Sequence, residues 1–169
     1  MVKVPPGIKQ PAVLVLLKSG TKYMLLRRHR PPHQGKITPI GGKIDPHESP
    51  LDAAVRETRE ETGLQISRPS YCGTLVESSP GVYNWICFVY LAEIAGPENV
   101  PDCPEGELLW VAQEQLAHID APEIDNLIYR YVAEKQVFQF NALYDADLEL
   151  ILVEEEIEGV VLKKRGDTA

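Results

Sequence analysis

From Leu51 to Thr62 small and apolar residues recur at three- and four-residue intervals: Leu51, Ala54, Val55, Thr58 and Thr62. At ~100° per residue these positions share one stripe, the face a helix would bury. Ser49 can cap the start, Pro50 suits the first helical position, Asp52 answers the serine across the first turn, and Gly63 supplies the stop. Elsewhere the pattern shortens to strand lengths. Ala12 to Leu17 and Tyr23 to Arg28 read as a hairpin turning through Ser19-Gly20-Thr21-Lys22. A Pro- and His-rich loop follows, from His29 to Lys36. Further strands are expected at Tyr71 to Glu77, at Val82 to Ile94 with Trp85, Phe88 and Tyr90, and at Leu108 to Val111. A long loop, Gly96 to Pro104, precedes the last of these. A helix from Pro122 to Glu134 would bury Leu127, Ile128, Tyr131 and Val132, and a hairpin would run Val137 to Tyr144 and Leu148 to Val153. Residues after about 154 read as a tail.

These elements do not alternate regularly, so the pattern alone specifies only α+β or α/β. Length and composition narrow the organisation rather than the fold. With 169 residues and 44% hydrophobic content, residues 1–169 are expected to form one domain with a real core. A net charge of −8 and a sequence pI near 5.0 argue against a broad electrostatic grip on duplex nucleic acid. Cys72, Cys87 and Cys103 lack metal spacing and cannot all pair within one chain, which points to a reducing compartment. The four histidines, His29, His33, His47 and His118, lack the spacing of a zinc site. Neither a secretion signal nor a membrane span is read near the N-terminus, so a cytoplasmic protein is expected.

The helix over residues 50–62 carries the chemistry. Glu57, Glu60 and Glu61 gather away from the apolar stripe, because residues three and four apart are neighbours on a helix surface. Such a cluster can be an ordinary solvated face. It can equally hold hard divalent cations, and Mg²⁺ in particular binds a few carboxylates together with substrate phosphates. Arg56 can hold Glu60 from one turn earlier. Arg27, Arg28, Arg30, Lys36 and Lys43 lie just ahead of the helix, where they could neutralise phosphate oxygens or simply solvate the surface.

Read as G-x5-E-x7-R-E-U-x-E-E-x-G-U, with U a bulky apolar residue, the stretch matches at Gly42, Glu48, Arg56, Glu57, Glu60, Glu61, Gly63 and Leu64. It resembles the signature box of the Nudix hydrolases, with Thr58 where an apolar residue is commoner. The resemblance implies an α/β/α sandwich around a mixed sheet and a metal-dependent hydrolase that cuts a phosphoanhydride bond of a nucleoside diphosphate derivative. It implies Mg²⁺, with Mn²⁺ as a substitute, and a catalytic set of Glu57, Glu60, Glu61 and Arg56. Glu57 and Glu61 would be the leading metal ligands, Glu60 a further ligand or the base, and the Gly41 carbonyl a backbone ligand. Glu48 would support Arg56. A carboxylate from outside the box would be Glu105, with Glu107 as the alternative. The segments Gly41 to Asp45, EGELLWV and VFQFNALYDADLEL, with Glu123 and Asp125 opening a helix, resemble the MutT-like 8-oxo-dGTP diphosphatases. There Asp125 would read the purine edge, although it can also serve the helix dipole. Ile37 and Thr38 stand where that branch often has an aromatic residue and a base-reading asparagine, and His47 replaces a usual glycine. Rival expectations are hydrolysis of ADP-ribose, of dinucleoside polyphosphates or of ordinary nucleoside triphosphates, or a non-catalytic nucleotide sensor. Partners are expected to be small nucleotides and, through an edge strand or the strand near Trp85, a second copy of the chain.

Overall fold

Ten residues, Gln10–Ser19, form β1, and their side chains alternate between two separate cores. Val13, Val15 and Leu17 join one apolar cluster, while Ala12 and Leu16 join the other. A strand covered on both faces needs no polar side, which is why its sequence is a nearly unbroken apolar run. The computed structural model describes residues 7–96 and 102–166, so residues 97–101 of the expected Gly96 to Pro104 loop lie outside the described residues.

The remaining elements are β2 (Lys22–Arg28), β3 (Ile37–Thr38), α1 (Pro50–Thr62), β4 (Ser70–Ser78), β5 (Trp85–Glu93), β6 (Gly106–Ala112), a 3-10 turn (Gln113–His118), α2 (Glu123–Ala133), β7 (Phe138–Tyr144), β8 (Leu150–Glu155) and β9 (Val160–Lys164). The sheet runs β3-β2-β1-β5-β4-β7-β8-β9, with β6 on the other side of β2. Two of its pairs, β1 with β5 and β4 with β7, are parallel and the others antiparallel. Ala53 and Ala54 of α1 pack on the Val13, Val15 and Leu17 face, and Ile128, Tyr129 and Val132 of α2 pack on the opposite one. The fold is α/β: a mixed sheet layered between helices, the architecture the resemblance implies.

The Gly20-Thr21 turn joins β1 and β2 as expected, with Gly20 at a φ of 57°. The two strands then separate after Met24, and β3 occupies the flank of β2 at Leu26 and Arg27. The loop after β3 returns to β1 through bridges at Val15 with Ile40 and Ala12 with Lys43. This divergence opens the sheet where the candidate site lies.

Several local expectations change. On α1, Leu51 is 41% exposed and Val55 only half-buried, whereas Ala53 and Glu61 turn inward. The helix rolls toward its small residues, which let it approach the sheet. On α2, Leu127 is half-buried and Tyr129 takes the fully buried position, its hydroxyl donating to the Ile37 carbonyl at 3.1 Å. Residues 160–164 are not a tail. They add β9 to β8, and Lys163 and Arg165 make ion pairs with Glu123 and Asp145. The aromatic strand begins at Trp85 rather than Val82.

Candidate active site

Ser49 starts α1 as the spacing predicts, its hydroxyl accepting from the Asp52 amide at 3.1 Å, and Gly63 ends it in the left-handed conformation. The helix thereby presents Glu57, Glu60 and Glu61 to a cavity of about 610 Å³. Arg28, Thr38, Gly41, Gly42, Lys43 and Glu105 line the same cavity, as do Ile124 and Asp125 at the start of α2.

Arg56 does not line the cavity; it organises the carboxylates that do. Its Nε and Nη2 donate to the two Glu48 oxygens at 2.8 and 2.9 Å, and Nη1 donates to Glu57 at 2.7 Å and Glu60 at 3.2 Å. Nη2 also reaches the Lys43 carbonyl at 2.9 Å. With its fork filled by protein acceptors, Arg56 holds the Glu57 and Glu60 carboxylates in place. Glu48 holds Arg56 in the charged form, and Arg56 in turn keeps Glu48 below the usual carboxylate range.

Glu61 is the unusual member. It is 5% exposed, and its Oε2 is buried without a hydrogen-bond partner. Burial, reinforced by the charges of Glu105 and Glu57, pushes its carboxyl up to about 8, while the Gly41 amide and Arg28 pull the other way. Burial also raises Glu57, against the opposing pull of Arg56. A buried carboxyl with an orphaned oxygen wants a cation. Gly42 fits the same requirement, since a Cβ there would overlap the Glu57 carboxylate. These hard oxygen donors suit a divalent ion, which would be held by Glu57, Glu60, Glu61 and Glu105. Among the described residues the carboxylates do not converge into a ready-made cage.

Other expected residues lie elsewhere. Glu123 is exposed and paired with Lys163, away from the cavity, because it faces solvent one position before the buried Ile124. Glu107 pairs with Arg27 at 3.4 Å and does not line the cavity. Lys36 pairs with Asp120, and Arg30 is exposed outside the lining. Asp125, 7% exposed, is driven by burial, and then by the charge of Glu77, strongly toward its protonated form.

Sequence reasoning missed Glu77, Tyr83, Trp85, Cys87 and His33, all of which line the cavity. Glu77 was expected merely as the end of a strand. In the fold its carboxylate accepts from Tyr144 at 2.8 Å and Tyr83 at 3.2 Å, and His33 Nε2 lies 3.2 Å from the Tyr83 hydroxyl. A glutamate on the inward phase of an alternating strand was the available signal.

The NUDIX domain model matches residues 8–132, which include the Arg56 clamp, the carboxylates and the start of α2. This chain belongs to the NUDIX domain family. It is a Nudix hydrolase, acting on nucleotide derivatives. The uncharacterised Nudix hydrolase YvcI of Bacillus subtilis strain 168 is 27% identical over 141 residues, covering 80% of this chain and 87% of YvcI. A Mycobacterium tuberculosis H37Rv protein provisionally named 8-oxo-dGTP diphosphatase 3 is 34% identical over 107 residues, 59% of this Nudix chain but 49% of that protein, so the match spans about half its length. The crystal structure of a MutT protein from Bacillus halodurans superposes with a TM-score of 0.77 at 24% identity, covering 88% of this chain and 98% of that one, and so shares its fold. Nudix hydrolases generally use divalent metal ions, consistent with the orphaned Glu61 oxygen. Among the described residues no helix is long and apolar enough to cross a membrane.

Proposed function

We propose that this Nudix chain is a Mg²⁺-dependent nucleoside triphosphate diphosphatase of the MutT type, releasing a nucleoside monophosphate and pyrophosphate, with oxidised guanine nucleotides among its substrates. The observation that carries the reading is the buried, partnerless Oε2 of Glu61 in a cavity that Asp125 also lines. The first suits a phosphate-bound cation and the second a base. The similarity to the provisionally named M. tuberculosis diphosphatase supports the substrate class.

When bound, Mg²⁺ supplies screening of phosphate charge and lowers the pKa of a coordinated water. Glu57 and Glu61 would be its principal ligands, with the Gly41 carbonyl and Glu105 completing the set. Glu60, exposed and hydrogen-bonded by Arg56, would be a further ligand or the base that takes a proton from water. Arg28, steadied by its 2.9 Å bond to the Pro32 carbonyl, and Lys43 meet phosphate oxygens. Thr38, whose buried Oγ1 has no hydrogen-bond partner, and Asp125 face the base.

Incubation with a panel of nucleoside triphosphates, ADP-ribose and dinucleoside polyphosphates, scored for which phosphates leave, tests this. Pyrophosphate from triphosphates is expected; AMP with ribose 5-phosphate, or ATP from a dinucleotide, would assign another Nudix activity. Glu61→Gln should lower kcat by on the order of 10²–10³-fold, the several kcal/mol that metal charge contributes, while the fold persists.

A further inference from the structure

We propose that Glu77 on β4 is a specificity-determining residue that reads the base jointly with Asp125, selecting a ring edge in which a carbonyl stands beside an N–H. The inference rests on the nucleotide-hydrolase reading and deepens it.

Glu77 is 4% exposed yet lines the cavity, as Asp125 does, and is remote in sequence from the metal carboxylates. Its Oε1 is taken by Tyr144 at 2.8 Å and Tyr83 at 3.2 Å, whereas Oε2 receives only a long 3.3 Å contact from Tyr83. That oxygen keeps acceptor capacity for an incoming N–H. No ion pair joins the Glu77 carboxylate to a cation among the described residues; Lys9 binds the Glu77 backbone carbonyl instead. Were anchoring Tyr144 its sole task, a glutamine would accept the same hydroxyl without the cost of burying a carboxyl. Burial raises the Glu77 carboxyl while the Tyr144 and Tyr83 hydroxyls pull it back down, and Asp125, raised further by its own burial and then by Glu77, is the member of the pair that keeps the proton.

The pair is then one carboxylate and one carboxylic acid facing one cavity. Glu77 accepts an N–H, and the Asp125 hydroxyl donates to a carbonyl. Guanine, hypoxanthine and uracil edges carry a carbonyl next to an N–H, and adenine and cytosine carry an amino group next to a bare ring nitrogen. Tyr83 and Trp85, with ring centroids 6.3 Å apart, form an aromatic wall beside Glu77 against which such a ring can pack.

The test compares wild type with Glu77→Gln. GMP, IMP, UMP, AMP and CMP are titrated by calorimetry, and the matching triphosphates are assayed with Mg²⁺. Wild type should favour the carbonyl-edged bases at least fivefold over AMP and CMP, and Glu77→Gln should cut that ratio about tenfold with its Mg²⁺ requirement unchanged. Equal affinities in wild type, or an unchanged ratio in folded Glu77→Gln, overturn the inference and leave hydrolysis standing. A shifted binding ratio in a protein that hydrolyses no triphosphate would uphold the base reading and reject the diphosphatase. Should Glu77→Gln fail to fold, Tyr144→Phe removes the 2.8 Å donor from outside the cavity lining. It should shift the ratio about threefold, and no shift overturns the proposal.

Discussion

Glu61 shows how one side chain couples folding to ligand binding. Its carboxyl normally titrates at 4.5, and burial lifts it to about 8 in the fold. The native state therefore keeps a proton that the unfolded chain has lost. Without metal, the stability this group contributes is fully present below pH 4.5 and is lost as pH rises through about 8. A bound cation reverses the preference, because a ligand must be deprotonated. Thermal melts in chelator should fall between pH 5 and pH 8, and the gain on adding Mg²⁺ should grow over the same window. A flat metal-free profile would contradict the burial of Glu61. Arg56 is the second decisive residue. Arg56→Lys keeps the charge but loses the fork that grips Glu48 twice while reaching Glu57 and Glu60. Melting should report a loss of about 1–3 kcal/mol for the charge-assisted bonds, and titration with Mg²⁺ a weaker apparent affinity.

At the scale of elements, the loop-helix unit from Gly41 to Gly63 is an arrangement of short-range parts. The serine cap, the proline and the terminal glycine are separated by one turn or one helix, so residue order alone brings them together. Thr58 fits because its Oγ1 donates back to the Ala54 carbonyl at 2.7 Å, leaving its methyl to face inward. His47 stands at a φ of 66°, the left-handed region that explains why glycine is usual there. Gly42, in the loop ahead of α1, lies against the Glu57 carboxylate. Gly42→Ala should displace Glu57 from its place beside Arg56, lowering kcat at least tenfold while the melting temperature moves little, since the glycine sits at the cavity rather than in the core. A crystal structure of the variant with Glu57 unmoved would refute this account. On α2, by contrast, the boundary residues matter: Glu123 turns outward to Lys163 and Asp125, two positions on, turns into the cavity.

Across the whole molecule, the sheet's far edge is finished by residues that look expendable. The run Glu154 to Glu156 is acidic, but Glu155 is buried and caps the following turn by accepting from the Ile157 and Glu158 amides at 3.1 and 2.7 Å. That turn delivers β9, whose Leu162 packs on the α2 core. Ending the chain after Glu156 would remove β9, strip β8 of its neighbour and free Glu123 from Lys163. The cost should be on the order of 2 kcal/mol, about that of exposing one leucine, and the bare edge should promote association. Equal melting temperature and monodispersity of the truncated and full chains would show β9 to be dispensable.

Local order in the chain, by itself, determined α1, its caps, the glutamate and arginine register and the family resemblance, because each depends on neighbours within a few turns. It also determined β1 and β2 as a hairpin and the doubly apolar character of β1. What only the tertiary structure decided are the relations between distant segments: β1 beside β5, β4 beside β7, and the parting of β1 from β2 that opens the cavity. Those relations turned Glu77 from a strand end into a buried acid hydrogen-bonded by Tyr83 and Tyr144, sent Glu123 to the surface, and left one Glu61 oxygen without a partner. Burial sets the energy of a charge, and burial is a property of everything packed around it rather than of its place in the chain.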